Sequence, residues 1–496
     1  MDIGAESAPT SWRECFILKR IRMLVPVGYK SEIKELSKLS VPVMISQLMN
    51  FSLSLVSTIF CGHLGKTELA GVSLAIAVIN VTGISIGNGL ASACDTLVSQ
   101  TFGSHNLLKI GVILQRAILI LLLACFPCWA ILINTEPILL AVRQEPEVAR
   151  SAAAFMYSLE TRYLQNQGII WPQVITGFLV NLLNALINYI VLFPLNLGVA
   201  GSAIANAISE FLMAGILFAY IIWKGLHKAT WGGWSRECLQ DWGSYIHLAV
   251  PGMVMLCVEW WTYEIGGFLA GLINEVELGA QSVVYQLANV AYMFPLGFSI
   301  AGSVRVGNAL GGGETEQAKL SAKMSMFCAG QNASMFISLP LKDHISYVFT
   351  YDEYAAVSGI IRGAGKQRVG AICNILGYYG VGFPIGVSLM FAAKLGIMGL
   401  WTGLLTCVFL QCSFLIFYLI RMNWKNITVE VYPGNSVGQA DTIDLMDVEV
   451  ETTVRTAEGE LSFRTLVLRR GLALAFMLFI LAVGIILNLL ITNLAT

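Results

Sequence analysis

Two acidic residues interrupt a long apolar run of this sequence. Glu259 and Glu264 lie in LCVEWWTYEIGGFLAG, which otherwise has the composition of a membrane-spanning helix. An ionisable side chain inside such a helix is costly and is therefore a candidate functional group. The acids are five residues apart, roughly 140° around an ideal helix, so both could border one wide cavity. A carboxylate there can hold a proton or a cation but not both comfortably. That competition predicts exchange of one for the other, with a hydrogen-bonded structural acid as the alternative.

Aromatic residues surround these acids and predict a site for an organic cation. Trp260, Trp261 and Tyr263 adjoin them in sequence, and aromatic faces attract organic cations by about 0.5–2 kcal/mol each. In the next apolar run, three residues recur at the spacing i, i+4, i+7 and so share one helix face. They are Tyr285, Asn289 and Tyr292, with Gln286 beside them. An interfacial aromatic belt or plain packing is the alternative interpretation.

The first half of the chain offers uncharged polar residues in place of acids. Gln47, Asn50 and Asn80 lie within its apolar runs. A further set follows the spacing i, i+3, i+7, which favours hydrogen bonds between helices over cavity lining. It consists of Asn181, Asn184 and Asn188. Asp95 and Glu210 are expected to pair or cap locally, although Glu210 could also bind a proton.

Composition assigns the chain to a membrane. Of its 496 residues, 56% are hydrophobic and only 12% are charged, about half the charged share of a soluble domain, and the mean hydropathy is +0.71. A net charge of −1 gives no basis for nucleic-acid binding. Cys125 and Cys128 form a CxxC inside an apolar run, and the five histidines are dispersed, so neither set predicts a metal or redox site. No signal peptide or ATP-binding cassette is recognisable, and we expect an ion gradient to supply the energy for transport.

Ten apolar runs are long enough to cross a bilayer, which takes roughly 20 residues. They are 37–60, 69–97, 109–133, 172–193, 198–223, 244–272, 277–306, 369–393, 397–420 and 467–492. Two weaker candidates, 149–166 and 319–349, carry charges. Lysine and arginine concentrate in the N-terminal tail and in 224–236, 362–368 and 421–425, and basic loops mark the cytoplasmic side. The N-terminus is therefore expected in the cytoplasm.

An internal repeat predicts two homologous helix bundles. LSVPVMISQLMN at 39–50 matches LAVPGMVMLCVE at 248–259 at an offset of about 209 residues. LGVAGSAIANAISEF at 197–211 matches LGIMGLWTGLLTCVF at 395–409 at an offset nearer 198. Many secondary transporters are built from such paired repeats, with the substrate site between them. Chance similarity among apolar helices is the alternative.

The offset between the repeats falls from about 209 to about 198 residues along the chain. This fall indicates that the second half has lost residues between roughly 310 and 365. The basic stretches on both sides of that interval should lie on one side of the membrane, so an even number of crossings must separate them. YDEYAAVSG is too short and too acidic to cross. One helix is therefore expected to be missing.

Seven stretches of the chain together resemble one known family. They are STIFCGHLGKTELAGVSLAIAVINVTG, ACDTLVSQTFGS, GVILQRAILILLLACFPCWA, LCVEWWTYEIGGFL, SVRVGNALG, GLWTGLL and LVLRRG. In these stretches the chain resembles the multidrug and toxin extrusion (MATE) family, and most of all its vertebrate branch. The resemblance implies an all-α polytopic membrane protein with two pseudo-symmetric six-helix lobes plus a C-terminal helix. It also implies proton-coupled export of organic cations at the plasma membrane, without enzymatic activity, metal or cofactor.

The resemblance also implies which residues form the site. Glu259 and Glu264 fall where the family has its second-lobe acidic site. The residues on its cavity-lining aromatic and first-lobe polar positions are Trp260, Tyr263, Tyr285, Tyr292, Gln47 and Asn80. The chain departs from the family at three places. Gln286 replaces a common Glu, the tenth helix is largely missing between Ala356 and Gly359, and the fourth is shortened around residues 153–159.

The expected organisation has two lobes with polar segments around them. In chain order it is a cytoplasmic N-terminal tail (1–36), the N-lobe (37–223), a cytoplasmic inter-lobe linker (224–243), the C-lobe (244–424, incomplete near 319–362), a polar cytoplasmic linker (425–464) and a C-terminal transmembrane helix (465–496). The expected partners are organic cations, protons and the lipid bilayer, with no nucleic acid, and the chain is expected to be a monomer.

These observations leave three hypotheses for function. The leading one is an exchanger that exports organic cations against protons. The second, motivated by the missing helix, is a non-transporting truncated variant that assembles with or competes with a full-length relative. The third is a lipid flippase, but lipid phosphates would require a cationic cavity, and the acids argue against one.

Overall fold

In the computed structural model the chain is helical and contains no strand throughout the residues described. These are residues 28–62, 80–134, 145–195, 197–273, 275–337, 346–431 and 463–495. Within them, twelve helices form two lobes and a further helix packs beside the first lobe. The predicted all-α class, with two six-helix lobes plus a C-terminal helix, is confirmed.

The first lobe consists of six helices. Their bounds are Tyr29–Gly62 (α1), the segments Asn80–Ile84, Ser85–Ala91 and Ala93–Gly103 (together α2), Leu107–Asn134 (α3), Glu145–Asn166 (α4), Trp171–Leu192 (α5) and Gly198–Trp223 (α6). The first segment of α2 is a π-helical turn. The connection to the second lobe contains a one-turn helix, His227–Thr230, and a 3-10 turn, Arg236–Leu239.

The second lobe repeats this arrangement. Its helices are Trp242–Gly271 (α7), Glu275–Gly311 (α8), Thr315–Ile337 (α9), Ser346–Gly363 (α10), the segments Gln367–Asn374, Ile375–Gly382, Phe383–Val387 and Ser388–Ala392 (together α11) and Ile397–Arg421 (α12). A short helix, Trp424–Val431, follows, and the last helix is Phe463–Ala495 (α13). The segments of α11 alternate between α-helical and π-helical geometry.

The chain is a multi-pass membrane protein, and eight of the described helices are apolar and long enough to cross a bilayer. The tenth helix is reduced, with 18 residues, or about 27 Å at 1.5 Å per residue. The sequence predicted that YDEYAAVSG would not cross, yet in the structure this segment lies within α10. Its apolar face is buried against α8 and α12, with Tyr354 1% exposed and Val357 0% exposed. Burial of this face stabilises a helix that the composition of the segment alone does not predict.

Each lobe has its own hydrophobic core. One core draws its buried side chains from α1 to α6, and the other draws them from α7 to α12. The start of α7 belongs to the first core, through Trp242 and Tyr245, and its later residues belong to the second. Helix α7 therefore bridges the lobes along its length.

Close contacts between the lobes repeat with two-fold pseudosymmetry. A Cβ added to Gly89 of α2 would lie 2.4 Å from Met253 Cα of α7. The equivalent contact joins Gly297 of α8 to Met44 of α1, where an added Cβ would lie 2.4 Å from Met44 Cγ. The numbering of these pairs follows the offset of about 209 residues found in the sequence. Small residues let the helix backbones approach closely at both crossings.

A buried carboxylate joins the lobes at the proximal end of the bundle, which we define as the end where α1 begins. Glu32 is 3% exposed and accepts hydrogen bonds from Arg305 Nε at 3.0 Å and Gln317 Nε2 at 2.6 Å. Ser321 Oγ donates to it at 2.6 Å. Helix α1 is thereby tied to α8 and α9, beside a polar cavity of about 610 Å³.

A second set of hydrogen bonds at the proximal end joins α2 to α10. Thr96 Oγ1 donates to the Arg362 carbonyl at 2.5 Å, and Gln100 Nε2 donates to the Gly363 carbonyl at 3.1 Å. Gln367 Nε2 donates to Thr96 Oγ1 at 2.9 Å. The lobes are therefore in direct polar contact at this end.

Helix α13 packs on α3 outside the two lobes. Asn134 Nδ2 donates to the Gly484 carbonyl at 2.8 Å, and Asn488 Nδ2 donates to the Ile133 carbonyl at 2.9 Å. At its start, the Arg470 guanidinium lies 4.1 Å from the centroid of the Trp242 ring. Two hydrogen bonds from side-chain amides and one cation–π contact thus attach α13, a largely apolar helix, to α3 and to the start of α7.

Candidate functional site

Glu259 is buried where three helices meet. It lies within α7, is 6% exposed, and accepts a hydrogen bond from the Tyr292 hydroxyl of α8. The Arg362 guanidinium of α10 acts on it electrostatically. Tyr354, also on α10, is subject to its charge. The carboxyl group of Glu259 thus lies beside one tyrosine hydroxyl and one guanidinium group.

Glu264 lies beside a group of aromatic rings. Its side chain is half-buried and acts electrostatically on Tyr285. The Tyr263 ring centroid is 5.6 Å from that of Tyr285 and 6.1 Å from that of Trp401. Trp401 Nε1 donates a hydrogen bond to Gln281 Oε1 at 2.8 Å. Helices α7, α8 and α12 thus supply an acid and three ring faces to one place.

Tyr285 connects the two acids. It is subject to the charge of both Glu264 and Glu259, and Asn289 hydrogen-bonds to it. That both acids act on one tyrosine agrees with the expectation that both could border one cavity despite their spacing of five residues. The structure therefore brings together five of the predicted positions around Glu259, which are Glu264, Tyr263, Tyr285, Asn289 and Tyr292.

For four further predicted residues, membership of the site remains a prediction. Within the described residues, no hydrogen bond or ring contact links Gln47, Asn80, Trp260 or Gln286 to the two acids. Gln286 is exposed, and the other three are half-buried. The neighbouring Trp261 donates through Nε1 to the Val81 carbonyl at 3.1 Å. This bond ties α7 to the π-helical turn of α2.

The first lobe has an amide where the second has its buried acid. In the repeat alignment, Asn50 occupies the position of Glu259. Tyr157 hydroxyl donates to Asn50 Oδ1 at 3.2 Å, and Glu210 acts electrostatically on the same tyrosine. Tyrosine therefore contacts the equivalent position in both lobes, but only the second lobe places a carboxyl group there.

Two further expectations for the first lobe are confirmed. Asp95 is paired with Arg162 of α4 in a largely buried ion pair. The asparagine stripe forms hydrogen bonds between helices, because Asn184 Nδ2 donates to Ser209 Oγ of α6 at 2.9 Å. Asn181 Nδ2 donates to the Met49 carbonyl of α1 at 2.8 Å. These residues hold the lobe together and do not line the acidic site.

Metal-binding geometry does not occur in the part of the chain that the structure describes. No group of three or more histidine, cysteine, aspartate or glutamate side chains there could hold a metal ion. The acids of the site therefore face aromatic, hydroxyl and guanidinium groups.

Comparison with known proteins identifies the family. The MatE family profile matches residues 42–190 and 251–356, one stretch in each half of the chain. Multidrug and toxin extrusion protein 1 of Danio rerio is 56% identical over 545 aligned positions, covering 95% of this chain and 92% of that protein. The chain belongs to the MATE family of multidrug and toxin extrusion transporters. The human protein of the same name is 47% identical, covering 92% of this chain and 94% of its own.

A solved MATE structure has the same fold. The crystal structure of the eukaryotic MATE transporter AtDTX14 superposes on this chain with a TM-score of 0.75 at 26% sequence identity. The superposition covers 82% of this chain and 99% of that chain. The family consists of transporters, not enzymes, and their fold accounts for the paired lobes.

The comparisons also bear on the shortened region of this MATE chain. The alignment with the Danio rerio protein runs over 545 positions, more than the 496 residues of this chain, so the relative carries segments that this chain lacks. The second family match ends at residue 356, where the sequence predicted the loss within the tenth helix. The end of the second family match thus coincides with the position at which the sequence predicts the loss.

Sequence reasoning missed two residues at the acidic site of this MATE chain. The sequence identifies Arg362 only as a basic residue that marks sidedness, although it acts electrostatically on Glu259. Tyr354 lies in the segment that the sequence predicts is too short and too acidic to cross, and its hydroxyl donates to Asn374 Oδ1 at 2.7 Å inside the second lobe. The repeat contained a usable signal, because Arg362 follows the first-lobe Arg162 at an offset of about 200 residues.

Proposed function

We propose that this chain is a proton-coupled antiporter that exports organic cations across the plasma membrane. The observation that carries the proposal is the environment of Glu259, a buried carboxyl group held by Tyr292 and flanked by the rings around Tyr285. A buried carboxylate is stable only when a positive charge or a proton neutralises it. The site can therefore hold an organic cation or a proton at one time.

The exchange cycle follows from that competition. With Glu259 and Glu264 ionised, an organic cation binds between the acids and the faces of Tyr263, Tyr285 and Trp401. A proton arriving from the other side of the membrane neutralises a carboxylate and removes its attraction for the cation. The cation then leaves in the direction from which the proton came. One positive charge replaces another, so the exchange is electroneutral.

Sidedness completes the proposal. The proximal end, where α1 begins, carries the basic stretches 224–236 and 362–368, and we assign it to the cytoplasm by the positive-inside rule. The lobes touch at that end through Glu32 and Thr96. We assign this conformation to the stage in which the site is closed to the cytoplasm. The chain would act as a monomer in the lipid bilayer.

Vesicle transport tests the proposal directly. The purified chain is reconstituted into liposomes with an opposing proton gradient, and uptake of a radiolabelled organic cation is measured. We expect gradient-dependent uptake by the parent chain. Glu259→Gln should lower it at least about 100-fold, because the amide has no exchangeable proton and no charge. Glu264→Gln should lower it about tenfold, since that acid is only half-buried.

A matched control separates the site from membrane acids in general. Glu160 lies on α4 of the first lobe and is 9% exposed, whereas the paired rings of Tyr263, Tyr285 and Trp401 belong to the second lobe. Glu160→Gln should leave gradient-dependent uptake within about twofold of the parent value. Equal transport by Glu259→Gln and the parent chain would contradict the role of Glu259.

A second candidate is a non-transporting variant that assembles with or competes with a full-length relative. The observation that favours it is the 18-residue length of α10, which is short for a spanning helix of roughly 20 residues. Co-expression of differently tagged copies of this chain and a full-length relative tests it. Co-purification together with absent cation uptake would support this candidate, and measurable uptake by the chain alone would exclude it.

A further inference from the structure

A small cavity lies between the lobes near the proximal end. Its volume is about 10 Å³, and its lining comes from α2, α4, α8 and α10. The lining residues are Asp95, Asn166, Ile300, Ser303, Val304 and Arg362. About this much room is needed for one water molecule. First-lobe residues line one side of the cavity and second-lobe residues line the other.

Three of these residues carry a buried polar atom without a hydrogen-bond partner within the described protein. The atoms are Asn166 Oδ1, Ser303 Oγ and Arg362 Nε. Asn166 is 1% exposed and Ser303 is 4% exposed, so bulk water does not reach them. Buried polar groups are almost always paired. Three residues that each carry such an atom line one cavity, which points to an occupant that pairs with them.

The orientation of Asn166 is fixed by its other contacts. Its Nδ2 donates to the Arg162 carbonyl at 2.8 Å and to the Cys94 carbonyl at 3.4 Å. The amide nitrogen must therefore face those carbonyls, which leaves Oδ1 as an unused acceptor. Arg362 presents an N–H donor, and the Ser303 hydroxyl can donate or accept. The occupant must both donate and accept hydrogen bonds.

Charge excludes an ion in this position. A metal cation would meet the Arg362 guanidinium, with the Arg162 guanidinium on the far side of Asp95. An anion would meet the Asp95 carboxylate, and the common anions are larger than the space available. A neutral molecule of one heavy atom satisfies both the room and the mixed lining.

We propose that the cavity binds one water molecule, which accepts from Arg362 Nε and donates to Asn166 Oδ1 and Ser303 Oγ. This water joins α4 of the first lobe to α8 and α10 of the second. It supplements the direct bonds from Thr96 and Gln100 to the end of α10. Separation of the lobes at the proximal end removes the water, so its binding favours the conformation closed at that end. The inference does not depend on the transported substrate or the coupling ion.

A structure of the full chain in lipid nanodiscs, at a resolution that shows ordered water, tests the site. We expect one density peak within hydrogen-bond distance of Arg362 Nε and Asn166 Oδ1. An empty cavity, or direct contact of Arg362 Nε with the Asp95 carboxylate in its place, would overturn the proposal.

Two substitutions at one position test what the water does. Ser303→Val fills the cavity with methyl groups and displaces the water, whereas Ser303→Ala removes one bond and leaves the room for it. Opening is measured as the change in distance between probes at Leu108 and Val429, which are 61% and 45% exposed near the proximal end. We expect Ser303→Val to raise the open population about tenfold and Ser303→Ala about threefold or less. An equal or larger effect of Ser303→Ala would contradict the proposal.

A substitution in the other lobe controls for simple overpacking by valine. Asn166→Leu removes an acceptor of the same water and should also raise the open population. Because both changes act on one water, the double variant should open no more than the stronger single variant. Fully additive effects would show that the two residues act independently and would overturn the shared water.

Discussion

The two lobes hold equivalent helices together by different means. In the first lobe, Asn188 accepts from Ser202 Oγ at 3.0 Å between α5 and α6. In the second lobe, the repeat offset of about 198 places Gly386 and Leu400 at these positions. A Cβ on Gly386 would lie 3.1 Å from the Leu400 carbonyl oxygen. The same pair of helices is joined by polar side chains in one lobe and by close apolar packing in the other.

A second pair of equivalent contacts shows the same difference, with polar bonding in the first lobe and close packing in the second. Asn184 Nδ2 donates to Ser209 Oγ in the first lobe, whereas the second lobe has Gly382 against Cys407, where an added Cβ would lie 3.0 Å from Cys407 Cβ. Ser57 of α1 extends the polar network by donating to Asn206 Oδ1 at 2.5 Å. The first lobe thus uses its polar residues for structure. In the second lobe the buried polar residue of the candidate site is Glu259, for which we propose a role in exchange.

The largest expected difference between the lobes concerns their arginines. Asp95→Asn removes the partner of Arg162 in a largely buried ion pair and should lower the free energy of unfolding by about 3–5 kcal/mol. Arg362→Gln should cost less, about 1–2 kcal/mol, because its guanidinium forms no direct ion pair in the described residues and donates to the neutral Ser299 Oγ. Thermal unfolding of the purified variants in one detergent measures both. Equal loss of stability would mean that Arg362 has an equivalent partner.

The polar network of the first lobe gives the next largest effect. Asn188→Leu leaves Ser202 without its acceptor in a fully buried place and should cost about 2–3 kcal/mol. Gly386→Ala, at the equivalent position, should cost about 1 kcal/mol because one methyl group must be accommodated against Leu400. Melting temperatures of the two variants rank them. A larger loss for Gly386→Ala would show that the apolar contact is the more rigid one.

The glycine crossings between the lobes should differ by a smaller amount. An alanine at position 89 would press on the backbone of Met253, whereas one at position 297 would first meet the flexible end of Met44. We therefore expect Gly89→Ala to cost about 2 kcal/mol and Gly297→Ala about 1 kcal/mol. The same thermal assay compares them, and a reversed order would mean that the nearby Ser40 carbonyl dominates at position 297.

The smallest expected change in stability concerns an exposed ion pair. Glu316 accepts from Lys319 Nζ at 2.6 Å on the surface of α9. Glu316→Gln should leave the melting temperature unchanged within error, because water and salt screen exposed pairs. A measurable loss would indicate that this pair also takes part in closing the proximal end.

Much of this arrangement could be predicted from the sequence because it depends on local signals. The apolar runs, the repeat and the acids inside α7 follow from composition and spacing, and the pairing of Asp95 follows from the cost of a charge in a membrane. The asparagine stripe could be predicted because residues at i, i+3 and i+7 share a helix face.

Other features depend on tertiary packing that spacing does not reveal. Helix α10 forms because residues such as Tyr354 and Ile360 are buried between α8 and α12, although its own composition argues against a crossing. Arg362 reaches Glu259 only through that packing. The relation of the first-lobe residues Gln47 and Asn80 to the acids depends on how the two lobes are arranged, which a single sequence does not specify.

The crossing of α2 and α8 at the proximal end has a consequence for motion. A Cβ on Gly103 would lie 2.0 Å from the Asn308 carbonyl oxygen, and one on Gly311 would lie 1.9 Å from that of Gln100. The two backbones meet there without intervening side chains. We expect this contact to part when the proximal end opens and to re-form on closing without any side chain having to repack.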